Sequence, residues 1–420
     1  MSNIRDLKIY KILVALKKYF TAKFKHKIKL NALIKRGGPY KVFFLALDAA
    51  VWKYDSLYKL LELDDNFIPT ILVCPIVNRG ERNMHVKMQE CFCYMKSKGY
   101  NVICSYNKET NSYINLHELE PDIIFYTNPY RWLIDDRYYI NKFTDYLTCY
   151  VPYAFTNISM DWGYALPLHY TVWRYYLECN ENMSYVRLYP PYLGGNCRVV
   201  GYPLFDSFKM LKYDHNIWKS NNKIKIIWAP HHSIEGYNND LSYSRFLEFA
   251  EIMLEIADKY KSVIQIMFKP HPLLKINLYN HKEWGKNRTD NYFKEWERRE
   301  NTDIYSGDNV NLFMTSDAMI HDCGSFLIEY LYTKKPVMLL EKDQIHKQQL
   351  NTIAEQAYDC HYIGETSNDI IDFINNVLIN KNDMLLNKRM LFYRKIQLDD
   401  NSTVAQHILR DIKNELKLKY

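Results

Sequence analysis

The sequence lacks the short motifs that mark the commonest nucleotide and hydrolase sites. It contains neither the GxGxxG dinucleotide fingerprint nor the GxxxxGK(S/T) phosphate loop, and the GxSxG nucleophile turn is also absent. No apolar run is long enough to span a bilayer, and the N-terminus has no signal-peptide core. These absences argue against a dinucleotide-dependent enzyme, a P-loop NTPase and an α/β-hydrolase, and they predict a protein that stays inside the cell.

Cysteine spacing excludes a disulfide framework. The nine cysteines are odd in number and scattered, and no CxxC pair occurs among them. Cys91 and Cys93 are too close in sequence to form the ligand pair of a zinc knuckle. The pattern is typical of reduced thiols in a cytoplasmic protein.

Length and charge limit the architecture and the partners. The chain has 420 residues, of which 48% are hydrophobic and 25% charged. This length is too great for one ordinary core and suits two domains of about 200 residues each. The net charge of +7 is modest, and no basic–aromatic module follows, so we expect no nucleic-acid partner.

The first 36 residues are strongly basic and predict an amphipathic helix. One face carries Ile9, Leu13, Leu16, Phe20 and Phe24. The lysines roughly opposite are Lys8, Lys11, Lys18 and Lys25. Such a helix either packs on its own domain or lies on anionic lipid, where each basic residue contributes about 1 kcal/mol. The sequence favours an anionic membrane surface as partner, and hence a peripheral position on the inner face of the cell membrane.

Two α/β halves follow this helix. In the first half, predicted strands at 41–47, 70–77, 101–106, 121–130 and 146–155 alternate with helices at 55–63 and 84–99. In the second half, predicted strands at 223–228, 263–272, 304–305, 317–322 and 336–341 alternate with helices at 241–260 and 325–335. Short apolar strands alternating with helices indicate parallel sheets covered on both faces. We therefore predict two Rossmann-like, doubly wound domains with a ligand cleft at the carboxyl ends of their strands.

Polar residues follow three strands of the second half. The junctions read WAPHHS (228–233), FKPHP (268–272) and HDCGS (321–325). In a doubly wound sheet all three meet at one edge, where Ser325 and the Gly324 amide would hold a diphosphate at a helix N-terminus. Lys269 and His271 would add charge and hydrogen-bond donors.

Each of these residues also has a structural alternative. Ser325 is a preferred N-cap, and His271 in a His-Pro pair is often structural. Asp322 either contributes to the site or shapes the turn, and Glu329 either reaches the ribose or lies in solvent. Adjacent His231 and His232 seldom bind one ion unaided, and no third ligand follows at suitable spacing, so we predict no metal.

The three junctions, preceded by VVGYPLFDSF, resemble the C-terminal half of the CDP-glycerol glycerophosphotransferase family. The resemblance covers residues 199–340, and its most specific elements are Asp322–Ser325 and Lys335-Pro336-Val337. It implies a two-domain GT-B fold and enzymes that make teichoic-acid-like and capsular polymers. It also implies that His271, Ser325 and the Gly324 amide bind the donor diphosphate.

The N-terminal half departs from the family pattern, which places a His-Gly pair in the acceptor domain. Here Asp161-Trp162-Gly163 keeps the glycine without the histidine. The candidates for the catalytic base are therefore Asp161, His169, His231 and His232.

The predicted domains are a basic helix (1–36), an acceptor domain (37–210), a nucleotide-donor domain (211–400) and a C-terminal helix (401–420) that packs back on the first domain. We expect transfer of glycerol or ribitol phosphate from a CDP-linked donor to a hydroxyl of a glycan or lipid-linked acceptor. No cofactor or divalent metal is demanded, because helix dipole, Lys269 and histidines supply the charge. The alternative is a GT-B glycosyltransferase using a UDP- or CMP-sugar.

Overall fold

A computed structural model describes residues 2–159, 163–189, 193–209, 212–234, 244–342, 347–398 and 401–419. Its contacts divide the chain into two compact units. Unit 1 comprises residues 1–156, 160–207 and 397–420, and unit 2 comprises residues 157–159 and 208–396. The acceptor and donor roles given to 37–210 and 211–400 stay predictions.

Unit 1 is built on a parallel sheet. Its strands are β1 (Tyr40–Ala46), β2 (Phe67–Val73), β3 (Val102–Cys104), β4 (Tyr106–Asn107), β5 (Ser112–Tyr113), β6 (Ile123–Tyr126), β7 (Leu147–Tyr150), β8 (Arg174–Leu177) and β9 (Cys197–Val199). Seven of them pair in the order β3-β2-β1-β6-β7-β8-β9, and β4 and β5 form a separate hairpin. All four residues of β6, β7 and β8 are buried, as expected for strands covered on both faces. Strands β8 and β9 were not predicted, because RYYL and CRV interrupt apolar runs with arginine.

The helices of unit 1 cover both faces of this sheet. They are α1 (Ser2–Arg36), α2 (Asp55–Glu62), α3 (Glu81–Ser97), α4 (Pro167–Thr171), α5 (Asn180–Val186), α6 (Leu204–Ser207) and a C-terminal helix (Val404–Glu415). The C-terminal helix packs in the same core as β1 and α2. Asp206 caps its first turn, because the carboxylate accepts the amide protons of Val404 (2.7 Å) and Ala405 (3.0 Å).

Helix α1 lies against unit 1 along one face. Tyr19, Ala22, His26 and Leu33 are buried there. At its C-terminal end, Arg36 donates two hydrogen bonds, of 2.9 and 2.6 Å, to the buried carboxylate of Asp122. The structure thus confirms the packing alternative for this face. The opposite face is exposed and is treated below.

Unit 2 contains a second parallel sheet. Its strands are β10 (Ile224–Ala229), β11 (Ile264–Phe268), β12 (Thr302–Ile304), β13 (Ala318–His321), β14 (Val337–Leu340) and β15 (Tyr362–Gly364). They pair in the order β12-β11-β10-β13-β14-β15, which is the Rossmann order 3-2-1-4-5-6. The predicted α/β class with parallel sheets is confirmed in both units.

The helices of unit 2 complete the doubly wound arrangement. They are α7 (Phe246–Lys259), α8 (Leu274–Tyr279), α9 (Gly285–Arg298), α10 (Asn309–Thr315), α11 (Phe326–Glu329), α12 (Thr352–Tyr358), α13 (Ser367–Asp372) and α14 (Leu386–Ile396). The helix predicted over 325–335 is shorter: α11 passes into a 3-10 turn at Tyr330–Thr333 and ends at Lys334, whose φ is 63°. The start predicted at 241 for α7 lies outside the described residues.

Candidate active site

The three polar junctions of unit 2 follow strands that are neighbours in the sheet. Strand β10 lies between β11 and β13, and the order of strands reverses at the β10–β13 pair. In open α/β sheets, ligands bind at the carboxyl edge beside such a reversal. Residues 230–233, 269–272 and 322–325 all leave the sheet at that edge. The meeting of the three junctions, predicted from the sequence, is thereby observed within unit 2.

Three imidazole rings cluster at this edge. His232 lies between the other two, with ring centroids 4.1 Å from His231 and 4.1 Å from His271, and His231 and His271 are 5.1 Å apart. All three side chains are half-buried, and one ring nitrogen from each lies within 4.8 Å of the others. Sequence analysis found each histidine but not the trio, because His271 comes from a different strand end.

Backbone amides determine where two of these rings carry their proton. The amide of Leu273 donates to Nδ1 of His271 at 3.1 Å, and the amide of Ser233 donates to Nδ1 of His231 at 3.3 Å. The Ser233 hydroxyl lies 2.9 Å from the same Nδ1 of His231 and donates to it when that nitrogen carries no proton. A neutral imidazole that accepts at Nδ1 carries its proton on Nε2. A metal would need that Nε2 lone pair, whereas an anion needs the N–H group. The donor set therefore fits an anion better than a cation.

Burial keeps His271 and His232 neutral near pH 7. Burial, with the neighbouring His232 and Lys269 acting in the same direction, lowers the pKa of His271 to about 3. Burial also lowers the pKa of His232. These two rings therefore act as neutral hydrogen-bonding groups rather than as fixed charges.

Lys269 supplies the positive charge next to the rings. Its amide donates to the carbonyl of Trp228 at 2.8 Å, which ties the β11 junction to the end of β10. Burial lowers the pKa of the Lys269 ammonium, while Cys323 and Asp308 raise it. The predicted charged residue thus lies in the loop that carries His271.

Asp322 connects the loops that form the site. Its buried carboxylate accepts hydrogen bonds from the amide of Arg245 (2.7 Å), the Ser244 hydroxyl (2.9 Å) and the amide of His231. Both oxygens are engaged by protein donors, so this geometry favours a positioning role over the predicted direct contact with the donor. Sequence analysis missed Ser244 and Arg245, which precede α7 without any recognisable motif.

The Ser325 hydroxyl lies at the opening of α11. Ser325 is exposed, lies in the helical region at φ −63°, and makes no side-chain cap hydrogen bond. Gly324 is half-buried, and its carbonyl accepts a 2.8 Å hydrogen bond from Nδ2 of Asn157, a contact that the sequence did not suggest. Glu329 is 4% exposed, so its solvated alternative is wrong.

The two base candidates outside unit 2 have different outcomes. His169 is fully buried between the rings of Tyr175 (5.0 Å) and Tyr150 (5.9 Å), and its Nδ1 accepts the Leu166 amide proton at 3.1 Å. Burial lowers its pKa to about 3. A general base must reach the proton that it removes, so His169 is corrected to a core residue. Asp161 lies outside the described residues.

Two α/β units with parallel sheets, one of them with a polar site at a reversal of strand order, are the elements of the GT-B fold. Residues 187–414 match the family described as CDP-glycerol:poly(glycerophosphate) glycerophosphotransferase, which is more than half of the 420 residues. The chain belongs to this family. It is thus an enzyme that transfers a polyol phosphate from a CDP-linked donor, as predicted.

Solved structures agree with the fold. The wall teichoic acid polymerase TagF carrying H548A has a TM-score of 0.57 at 12% identity, over 99% of this chain and 97% of that chain. The S. aureus MnaA–UDP co-structure has a TM-score of 0.59 at 13% identity, over 90% and 98%. UDP-GlcNAc 2-epimerase from Neisseria meningitidis bound to UDP-GlcNAc has a TM-score of 0.53 at 10% identity, over 89% and 100%. No curated protein matches the chain.

Proposed function

We propose that the trio His231, His232 and His271 binds the diphosphate of the CDP-linked donor. The observation that carries this proposal is the pair of Nδ1 atoms occupied by backbone amides, which leaves Nε2–H groups as donors at the reversal of the sheet. Preorganised donors aimed at developing negative charge are often the largest single contribution to catalysis. Lys269, Ser325 and the Gly324 amide complete the donor site in this proposal.

The reaction that this arrangement supports is a displacement at phosphorus. An acceptor hydroxyl forms a bond to the β-phosphorus, and the bond from that phosphorus to the bridging oxygen breaks. CMP leaves with the bridging oxygen, and the hydroxyl proton passes to a base. Since Nε2 of His231 already carries a proton, His232 is the base candidate within the described residues, and Asp161 is the candidate beyond them.

The donor specificity tests the proposal. With a donor labelled in the β-phosphate and acceptor-containing membranes, we expect label in the product and release of CMP from CDP-glycerol or CDP-ribitol. A matched panel of UDP- and CMP-sugars should give no product. Sugar transfer from those donors without transfer of phosphate would overturn the proposed chemistry.

We also propose that the enzyme works as a peripheral protein on the inner face of the membrane, with α1 on anionic lipid and a lipid-linked or glycan acceptor. Five large apolar residues lie on the exposed side of α1, away from the face that packs on unit 1. They are Tyr10 (65% exposed), Leu13 (58%), Phe20 (59%), Phe24 (65%) and Ile28 (55%). At 3.6 residues per turn they form one stripe with lysines on both flanks. Within the described residues no helix could cross a bilayer.

Replacing Phe20 and Phe24 together by serine should weaken binding to phosphatidylglycerol vesicles by about tenfold or more, because each buried Phe contributes about 1.5–3 kcal/mol. Vesicle sedimentation over a lipid titration measures the effect. The matched control is Leu63→Ser, since Leu63 is a single apolar side chain, 83% exposed, at the end of α2. Equal binding by the double variant and the control would contradict the membrane role.

A further inference from the structure

A pocket of about 230 Å³ lies beside α1 in unit 1. Its apolar walls are Tyr19 and Leu30 from α1, Tyr170 from α4, and Trp173 from the segment between α4 and β8. Tyr170 and Trp173 are only 7% and 6% exposed, so these rings form a fixed wall. The pocket shares no residue with the histidine trio.

Two lysines at this pocket have no counter-ion within the part of the chain that the structure describes. Lys23 and Lys27 line it from successive turns of α1, and the Lys23 ammonium lies 5.7 Å from the Tyr19 ring centroid. Both side chains are exposed, and neither has an ion pair among the described residues. Arg174 also lines the pocket, but its guanidinium is already paired with Asp411 (2.9 Å) and Glu415. The uncompensated positive charge is therefore on the two lysines.

A buried imidazole supplies a second, independent observation. His26 lines the same pocket and is 4% exposed, yet its Nε2 has no hydrogen-bond partner within the described part of the chain. Burial, with Arg174 and Lys25 acting in the same direction, lowers the pKa of His26 to about 4. A buried polar atom without a partner is unfavourable, and a bound ligand would supply one.

The pocket lies beside the exposed apolar stripe of α1, which is formed by Tyr10, Leu13, Phe20, Phe24 and Ile28. At 100° per residue, Lys23 and Lys27 fall between that stripe and the buried face of α1. If the stripe lies on the bilayer, this flank of the helix faces the headgroup layer. At that depth the two lysines suit a phosphate group, and the apolar walls behind them suit a hydrocarbon chain attached to it.

We propose that the pocket binds one anionic phospholipid of the membrane, with its phosphate on Lys23 and Lys27, one of its oxygens as the partner of His26 Nε2, and part of an acyl chain against Tyr170 and Trp173. This inference rests on the proposed membrane association of α1. The bound lipid would fix the rotation of α1 about its own axis on the bilayer, which the apolar stripe alone does not do.

The test uses dihexanoylphosphatidylglycerol below its micelle concentration and tryptophan fluorescence of the full chain. We expect a saturable change that is absent in Trp173→Phe and weakened about tenfold or more in the Lys23→Ala, Lys27→Ala variant. The control, Lys17→Ala with Lys18→Ala, removes the same charge from the same helix outside the pocket and should bind as the unaltered chain does.

The outcomes separate the two proposals. The Phe20→Ser, Phe24→Ser variant should fail on vesicles yet bind the short-chain lipid normally, because its pocket is intact. Loss of short-chain binding in that variant, or equal loss in both lysine pairs, would overturn a pocket site. Full competition by inorganic phosphate at the same concentration would also overturn it, since the hydrocarbon chain would then contribute nothing.

Discussion

His271→Leu should lower kcat about 10²- to 10³-fold, which is the usual effect of removing one donor from a preorganised oxyanion site. Leucine keeps the volume of the side chain and removes the Nε2–H group that we assign to the diphosphate. His271→Gln keeps an amide N–H at a similar reach and should retain activity to within about tenfold of the unaltered enzyme. Steady-state release of CMP from the CDP-linked donor measures both variants.

The control for this prediction is His281→Leu. His281 has the same local geometry as His271, since the amide of Glu283 donates to its Nδ1 at 3.3 Å, but it lies between α8 and α9. It therefore reports the structural effect of losing such a hydrogen bond without loss of the donor site. An activity of His271→Leu within about threefold of His281→Leu would show that the ring does not act on the donor.

The strand ends were predictable because each combines a buried apolar run with turn-forming residues. IKIIW before Ala-Pro and VIQIMF before Lys-Pro both carry this signal, and β10 and β11 are observed there. The proton position of His231 and His271 was not predictable, since it depends on the amide two residues further along each loop. No composition or spacing reports that hydrogen bond.

His169 and Lys335 show that residue type and motif membership do not by themselves establish a role in the site. His169 was a base candidate because of its chemistry, although its neighbours in LPLHYTVW are largely apolar and aromatic, which is the environment of a core residue. Lys335 belongs to the most specific family stretch, yet its ammonium donates to the carbonyls of Phe313 (3.0 Å), Met314 (2.6 Å) and Ser316 (2.5 Å). It thus caps the end of α10, so a residue can mark a family through folding alone.

Helix α1 packs on its own domain, which is one of the two alternatives that the sequence left open, and its position on lipid stays a proposal. The predicted face contained Leu13, Phe20 and Phe24, which are exposed, whereas the buried face is formed by Tyr19, Ala22, His26 and Leu33. A lysine-rich helix with two apolar faces has a weak overall periodicity, because the faces partly cancel. Only the tertiary contacts show which face the domain uses.

Asp322→Ala should lower the free energy of unfolding of unit 2 by about 3–4 kcal/mol and reduce kcat about a hundredfold. The loss leaves the buried amides of Arg245 and His231 and the Ser244 hydroxyl without their acceptor. The loop that carries His231 and His232 would then lose its anchor to β13. Urea unfolding and CMP release, measured on the same preparation, give the two values.

The control variant Asp317→Ala distinguishes a positioning role of Asp322 from a purely structural one. Asp317 lies at the other end of β13, is exposed, and accepts one amide proton from Lys225 at 2.8 Å. Its removal should lower the free energy of unfolding by only about 1 kcal/mol and leave kcat unchanged. Asp322→Asn adds a second comparison, because one carbonyl oxygen still accepts while the charge is lost. If all three variants kept full kcat while folded, Asp322 would stabilise the fold without positioning His231, and the assignment of the trio to the donor would lose its structural support.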